Sequence, residues 1–287
     1  MKSYFSLVTF AHTIFALPFA LLGFFLATLE LGHGLSLRLF LLVLLCMVFA
    51  RSAAMAFNRY LDRDIDERNP RTSKREIPAG VISPRAALTF VIINSALFIA
   101  CAGLLNSLCL VLSPVALLVI LGYSYTKRFT ALCHFVLGLG LSLAPIGAYL
   151  AAGGGFDTLP ILYSVTVLLW VSGFDIIYAL QDEEFDRSLH LHSIPAAIGK
   201  KQALWLSTAL HVVCAGIIIY AGILMGNLYP QFGWLHWLAV GVFITMLIYQ
   251  HLLVKPNDLS KVNRAFFTTN GLASLAFGAL VILDIYF

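Results

Sequence analysis

Uninterrupted apolar runs of about twenty residues recur from one end of this chain to the other, and that length restricts the fold more than any other feature. A bilayer core about 30 Å thick is crossed by an α-helix of roughly 20 residues. Nine segments fit that ruler, at about 8–29, 36–56, 86–106, 108–125, 131–152, 160–180, 203–224, 234–254 and 266–286. Of the 287 residues, 60% are hydrophobic and only 11% charged, against about a quarter charged in soluble domains. Little is left over for a soluble domain. The expected fold is all-α: one polytopic bundle of nine membrane helices in a single domain, 1–287, integral to the lipid bilayer. The first span begins after a single Lys2 and is too long for a signal-peptide core, so it reads as a retained helix.

Charge placement sets the expected orientation. Of the 18 Lys and Arg residues, Arg38 alone falls in a loop on the far side. Loops at about 58–85, 126–130, 181–202 and 255–265 carry the bases and alternate with loops that carry none besides Arg38. Positive residues stay inside, which puts the N-terminus and the charged loops in the cytoplasm and the C-terminus outside, in an inner membrane of bacterial type. The net charge of +4 is then a topology signal and implies no nucleic-acid partner. Five cysteines lie in or beside apolar spans with no C-x-x-C pair, which reads as packing rather than metal or redox chemistry.

The polar residues are more informative than the apolar ones. FNRYLDRDIDERNPRTSKREIPAG, Phe57 to Gly80, holds five acids and six bases directly after the second span. Asn58, Asp62 and Asp66 recur every four residues, about 40° apart on one helical face, and Arg51 lies seven residues before Asn58 on that face. The helix must stop before Pro70, because a residue preceding proline is pushed out of helical geometry. A second stripe, Asp175, Asp182 and Asp186, repeats the seven-then-four spacing in GFDIIYALQDEEFDR, with Tyr178 nearby. An Ile-Pro-Ala follows each stripe (Ile77-Pro78-Ala79 and Ile194-Pro195-Ala196), which suggests an internal duplication with halves near 1–130 and 131–287.

Carboxylates aligned on one face repel one another, and in a half-buried cavity the cost grows unless cations sit among them. Mg²⁺ takes one or two carboxylates together with phosphate oxygens, so two such stripes are suited to hold Mg²⁺ on a diphosphate. Asn58 would add an amide oxygen. Solvated helix ends with chance spacing are the plainer reading, weakened by the occurrence of two stripes at matching ends. Arg51 and Asp175 fall inside apolar spans, where ionisable groups mark functional sites, although an ion pair between them would also explain both. Tyr123, Lys127 and Arg128 in GYSYTKR, with Arg63, Lys74 and their basic neighbours, supply charge for an anion. Each of these bases serves equally well as a positive-inside residue.

N-x-x-x-D-x-x-x-D at Asn58–Asp66, Y-x-x-x-K at Tyr123–Lys127 and D-x-x-x-D at Asp182–Asp186 resemble, in order and spacing, the motif set of the UbiA superfamily of intramembrane prenyltransferases. YALQDEEFDR and HSIPAAIG look most similar to its 4-hydroxybenzoate polyprenyltransferase branch. The resemblance covers nearly the whole chain. It implies metal and diphosphate ligation by Asn58, Asp62, Asp66, Asp182 and Asp186, with Mg²⁺ as cofactor and Tyr123 and Lys127 near the diphosphate. It also implies a polyprenyl diphosphate donor, a small aromatic acid as acceptor, and a cavity opening to the cytoplasm. Arg59 stands where the commonest form of the first motif has Asp. That departure removes one metal ligand and leaves the acceptor open between 4-hydroxybenzoate and a naphthoate of the menaquinone type, with haem or chlorophyll prenylation as further options. Asp175 is added by the stripe geometry alone: it would orient Arg51, act as a further ligand, or take the aromatic proton. A transporter also carries buried charge but places it near mid-bilayer, and a phospholipid-making phosphotransferase would carry D-G-x-x-A-R, which is absent.

Overall fold

A computed structural model describes Leu7, residues 15–32 and residues 34–286. The part of the first expected span at 8–14, and Lys2, lie outside the described residues. Among the described residues the regular elements are all helices, with no strand. The long elements are α1 (Leu17–Glu30), α2 (Leu37–Leu61), α4 (Pro84–Leu105), α5 (Ser107–Thr126), α6 (Cys133–Ala151), α7 (Thr158–Ala179), α10 (Lys200–Leu228), α11 (Trp234–Leu253) and α12 (Asn270–Tyr286). The short ones are α3 (Arg63–Arg68), α8 (Glu183–Ser188) and α9 (Ile194–Ile198). Among the described residues eight helices are long and apolar enough to cross a membrane, and α1 is a shorter apolar helix. The chain is an integral membrane protein.

Local chemistry sets the boundaries. The hydroxyls of Ser36, Ser83 and Ser193 accept from the amides of Leu39, Ala86 and Ala196, capping α2, α4 and α9. Proline follows as an early helical residue in α4 and α9, where its missing N–H costs nothing. Asn106 alone separates α4 from α5, its Oδ1 accepting from the Cys109 amide at 2.8 Å.

The helices sort into two compact units, one comprising residues 1–13 and 36–126, the other residues 14–35 and 127–287. In the first, α2, α4 and α5 pack together. Ile77 and Ile82 of the loop after α3 are buried beside Ala56, Ala87 and Val91, so that loop has its own apolar anchor. In the second, α7 packs on α6 and α10, and α1 on α6 and α12. Hydrocarbon tails are as apolar as the helices, so association relies on close backbone approach. Gly23 of α1 provides it: a Cβ there would lie 2.1 Å from the Pro145 carbonyl oxygen of α6. Polar side chains secure what packing leaves. Trp170 donates from Nε1 to Asn270 Oδ1 at 2.9 Å, and Asn270 Nδ2 donates to the carbonyls of Ala265 and Phe266. Those carbonyls belong to a π-helical turn, Arg264–Thr269, that leads into α12.

Candidate functional site

The first stripe is helical, as its spacing predicts, with one interruption. Asp62 separates α2 from α3, yet the Asp62 amide donates to the Asn58 carbonyl at 2.9 Å and the Asp66 amide to the Asp62 carbonyl at 2.7 Å. The four-residue register therefore survives the break. Asn69 is extended directly before Pro70. Asn58 Nδ2 donates to Asp62 Oδ2 at 3.1 Å, which leaves the amide oxygen of Asn58 as its acceptor end.

Asp66 is buried, 5% exposed. Its Oδ1 meets Arg75 Nη1 at 2.6 Å, while Oδ2 has no hydrogen-bond partner among the described residues. Burial pushes this carboxyl up to about 7, against the pull of the Thr72 hydrogen bond and the nearby Arg59 charge. Lys74, a sequence candidate, is exposed, and its neighbour Arg75 makes the contact instead. Arg63 is spent locally: it donates to the Tyr60 carbonyl at 2.8 Å, lies 3.6 Å from Asp64 and sits over the Tyr60 ring. Deeper in α2, Arg51 is within electrostatic reach of Tyr123 and Arg59, and its buried Nε has no hydrogen-bond partner among the described residues.

The second unit carries the other stripe. A 3-10 turn, Leu180–Asp182, joins α7 to α8. Asp182 is 8% exposed and Asp186 0%. Lys127 Nζ lies 2.7 Å from Asp186 Oδ1, and Asp186 Oδ2 has no hydrogen-bond partner among the described residues. Burial alone would lower the Lys127 ammonium, but the adjacent Asp186 and then Asp182 outweigh it and raise it. Arg128 is exposed. Tyr178 stacks on Phe266 of the π-helical turn, ring centroids 4.1 Å apart. Glu183 is buried against Arg187 and Lys200 and belongs to the scaffold. The loop after α8 is tied to the chain ahead of α6: the His192 amide donates to the Lys127 carbonyl at 2.8 Å, and Cys133 Sγ reaches the His192 carbonyl at 3.5 Å.

Asp175 has a partner that spacing did not reveal. His134 Nδ1 lies 2.7 Å from Asp175 Oδ2, and His134 Nε2 receives the Ile194 amide at 3.3 Å. The two residues are 41 positions apart. The one available signal was a histidine in an apolar span.

Each stripe thus contains a buried carboxylate oxygen with no proton donor among the described residues. Such an oxygen costs free energy unless a cation or hydrogen-bond donor reaches it. Among the described residues no three His, Cys, Asp or Glu side chains gather tightly enough to hold a metal ion by themselves. Oxygen donors in ones and twos suit a hard cation that completes its shell with phosphate and water.

Residues 16–272 match the UbiA prenyltransferase family. Curated relatives include a 4-hydroxybenzoate octaprenyltransferase of Aliivibrio fischeri (strain MJ11), 30% identical over 82% of this chain and 79% of the relative. Another is the enzyme of that name from Nitrosomonas europaea, 30% identical over 92% and 87%. Among solved structures, a UbiA homologue from Aeropyrum pernix K1 is 35% identical, with TM-score 0.82 over 95% of this chain and 98% of that one. A UbiA homologue from Archaeoglobus fulgidus bound to GPP and Mg²⁺ shares the fold at 22% identity, with TM-score 0.75 over 99% and 100%.

Proposed function

Because the chain belongs to the UbiA prenyltransferase family, we propose that this membrane enzyme transfers a polyprenyl group from polyprenyl diphosphate to a 4-hydroxybenzoate-like aromatic acid in quinone biosynthesis. The observation that carries the reading is the pair of donor-less buried oxygens, Asp66 Oδ2 and Asp186 Oδ2, one in each acidic stripe. Neither has a hydrogen-bond partner among the described residues. The A. fulgidus homologue, bound to GPP and Mg²⁺, supports the same chemistry here.

In this reading Asn58, Asp62 and Asp66 of the first motif, and Asp182 and Asp186 of the second, would serve as ligands to Mg²⁺ and diphosphate, as the family resemblance implies. Bound there, Mg²⁺ neutralises the diphosphate and makes it a better leaving group. Lys127, 2.7 Å from Asp186 Oδ1, would supply positive charge for phosphate oxygens. Arg51 and Tyr123 would offer charge and a hydroxyl to the diphosphate, and Arg75 holds Asp66 at 2.6 Å. As the C–O bond to diphosphate breaks, the ring carbon of the acceptor forms the new C–C bond, and the ring proton passes to Asp175. Apolar helices around the site exclude water from the allylic cation. Orientation follows the positive-inside bias, with the N-terminus and site cytoplasmic and the C-terminus outside.

The test is turnover of the purified protein with Mg²⁺, prenyl diphosphates of graded length and a panel of aromatic acids, read by mass spectrometry. Asp62→Ala and Asp182→Ala should each lower product formation by at least about 10³-fold while the protein still elutes as a folded membrane protein. Wild-type rates in both variants would refute the site. A naphthoate product in place of a benzoate would reassign the acceptor and keep the chemistry.

A further inference from the structure

We infer that His134 is a positioning residue for Asp175, a neutral imidazole that donates to one carboxylate oxygen and fixes its place. The inference deepens the proposed function and rests on it for the role of Asp175. His134 is 3% exposed, at the start of α6. A backbone amide has only a proton to offer, so the 3.3 Å contact from Ile194 N requires a bare Nε2. The single ring proton then sits on Nδ1, directed at Asp175 Oδ2 2.7 Å away. A doubly protonated ring would set Nε2–H against the Ile194 N–H, donor to donor.

Both ends of this bridge are held. The Ser172 hydroxyl, one turn before Asp175 on α7, donates to the Leu168 carbonyl at 2.7 Å and lies 3.3 Å from the His134 carbonyl, sharing its one proton between them. Ile194 opens α9, and its amide has no partner inside that helix. The ring therefore ties the loop that follows the second acidic stripe to the first carboxylate of that stripe, about two helix turns before Asp182. Asp175 keeps 22% side-chain exposure while His134 keeps 4%. The acid is partly open and the ring is closed off. The arrangement assigns His134 to the acceptor half of the reaction, through Asp175, and gives it no part in holding diphosphate.

The experiment uses the full chain in lipid nanodiscs. Glutamine can donate and accept at once, so His134→Gln preserves both bonds, whereas His134→Leu preserves neither. The Leu variant should lose about 10- to 100-fold in kcat, with KM for the prenyl diphosphate unchanged, and the Gln variant should stay within about threefold of wild type. In an Asp175→Asn background, His134→Leu should add no further loss. An undiminished loss in that background, or equal damage from Gln and Leu, would overturn the inference. Imidazole ¹⁵N spectra, with His134→Gln identifying the signal, should show a protonated Nδ1 and a bare Nε2. A doubly protonated ring, or one protonated on Nε2, would overturn it without reference to turnover. If the wild-type protein prenylates none of the acceptors, the proposed function fails, and the spectra still decide the state of His134.

Discussion

Replacing Asp186 by asparagine separates what this carboxylate costs the protein from what it contributes to the reaction. Its Oδ2 is fully buried with no donor, a penalty of about 1–3 kcal/mol for such a group. The Lys127 contact at 2.7 Å offsets part of that. Lys127 keeps 33% side-chain exposure, so solvent screens the pair and its worth falls to about 1 kcal/mol. Without metal, Asp186→Asn should therefore match wild type or exceed it by up to about 2 kcal/mol. That difference corresponds to a rise of about 4–8 °C for a domain of this size. Adding Mg²⁺ with pyrophosphate reverses the order. A ligand at a hundred times its dissociation constant stabilises wild type by about 2.7 kcal/mol, and the variant should gain little. Thermal unfolding in nanodiscs, in EDTA and then in Mg²⁺ with pyrophosphate, reads both halves, and turnover should fall in parallel. A variant less stable than wild type by more than about 2 kcal/mol in EDTA, or one with an equal Mg²⁺-induced shift, would refute the reasoning.

Three further outcomes are expected. Arg75→Ala should reduce turnover by about tenfold or more, because it strips the 2.6 Å partner from buried Asp66; exposed Lys74→Ala should leave it within about twofold, and equal effects would be contrary to the geometry. Gly23→Ala should cost at least about 1–3 kcal/mol, since its Cβ would meet the Pro145 carbonyl at 2.1 Å. Gly241→Ala, with nothing within 4 Å, should be neutral by the same unfolding measurement. Asn270→Leu should lower stability by about 1–3 kcal/mol by removing the acceptor of Trp170 Nε1 and the donor to the Ala265 and Phe266 carbonyls. An unchanged melting temperature would mean those groups find other partners.

Helix positions were legible because insertion depends on local hydropathy, summed over one run of residues. The expected spans 86–106 and 234–254 match α4 and α11 to within two residues. The stripe Asn58–Asp62–Asp66 was legible for the same reason: its register is a property of one helix, and it outlasts the break at Asp62 because the backbone hydrogen bonds run on. The choice of Arg75 over Lys74 was not legible. Two adjacent residues of one charge differ only in which way the turns of the loop direct them.

What the amino-acid order determined by itself is an all-helical membrane protein with two acidic rows and a basic Y-x-x-x-K motif, since period and hydropathy are read over a few neighbouring residues. What the tertiary structure alone decided is who meets whom. His134 finds Asp175 across 41 positions, and Asn270 meets Trp170 across 100. Such pairs are made by two helices packing side by side, and no local pattern in either helix encodes the register between them.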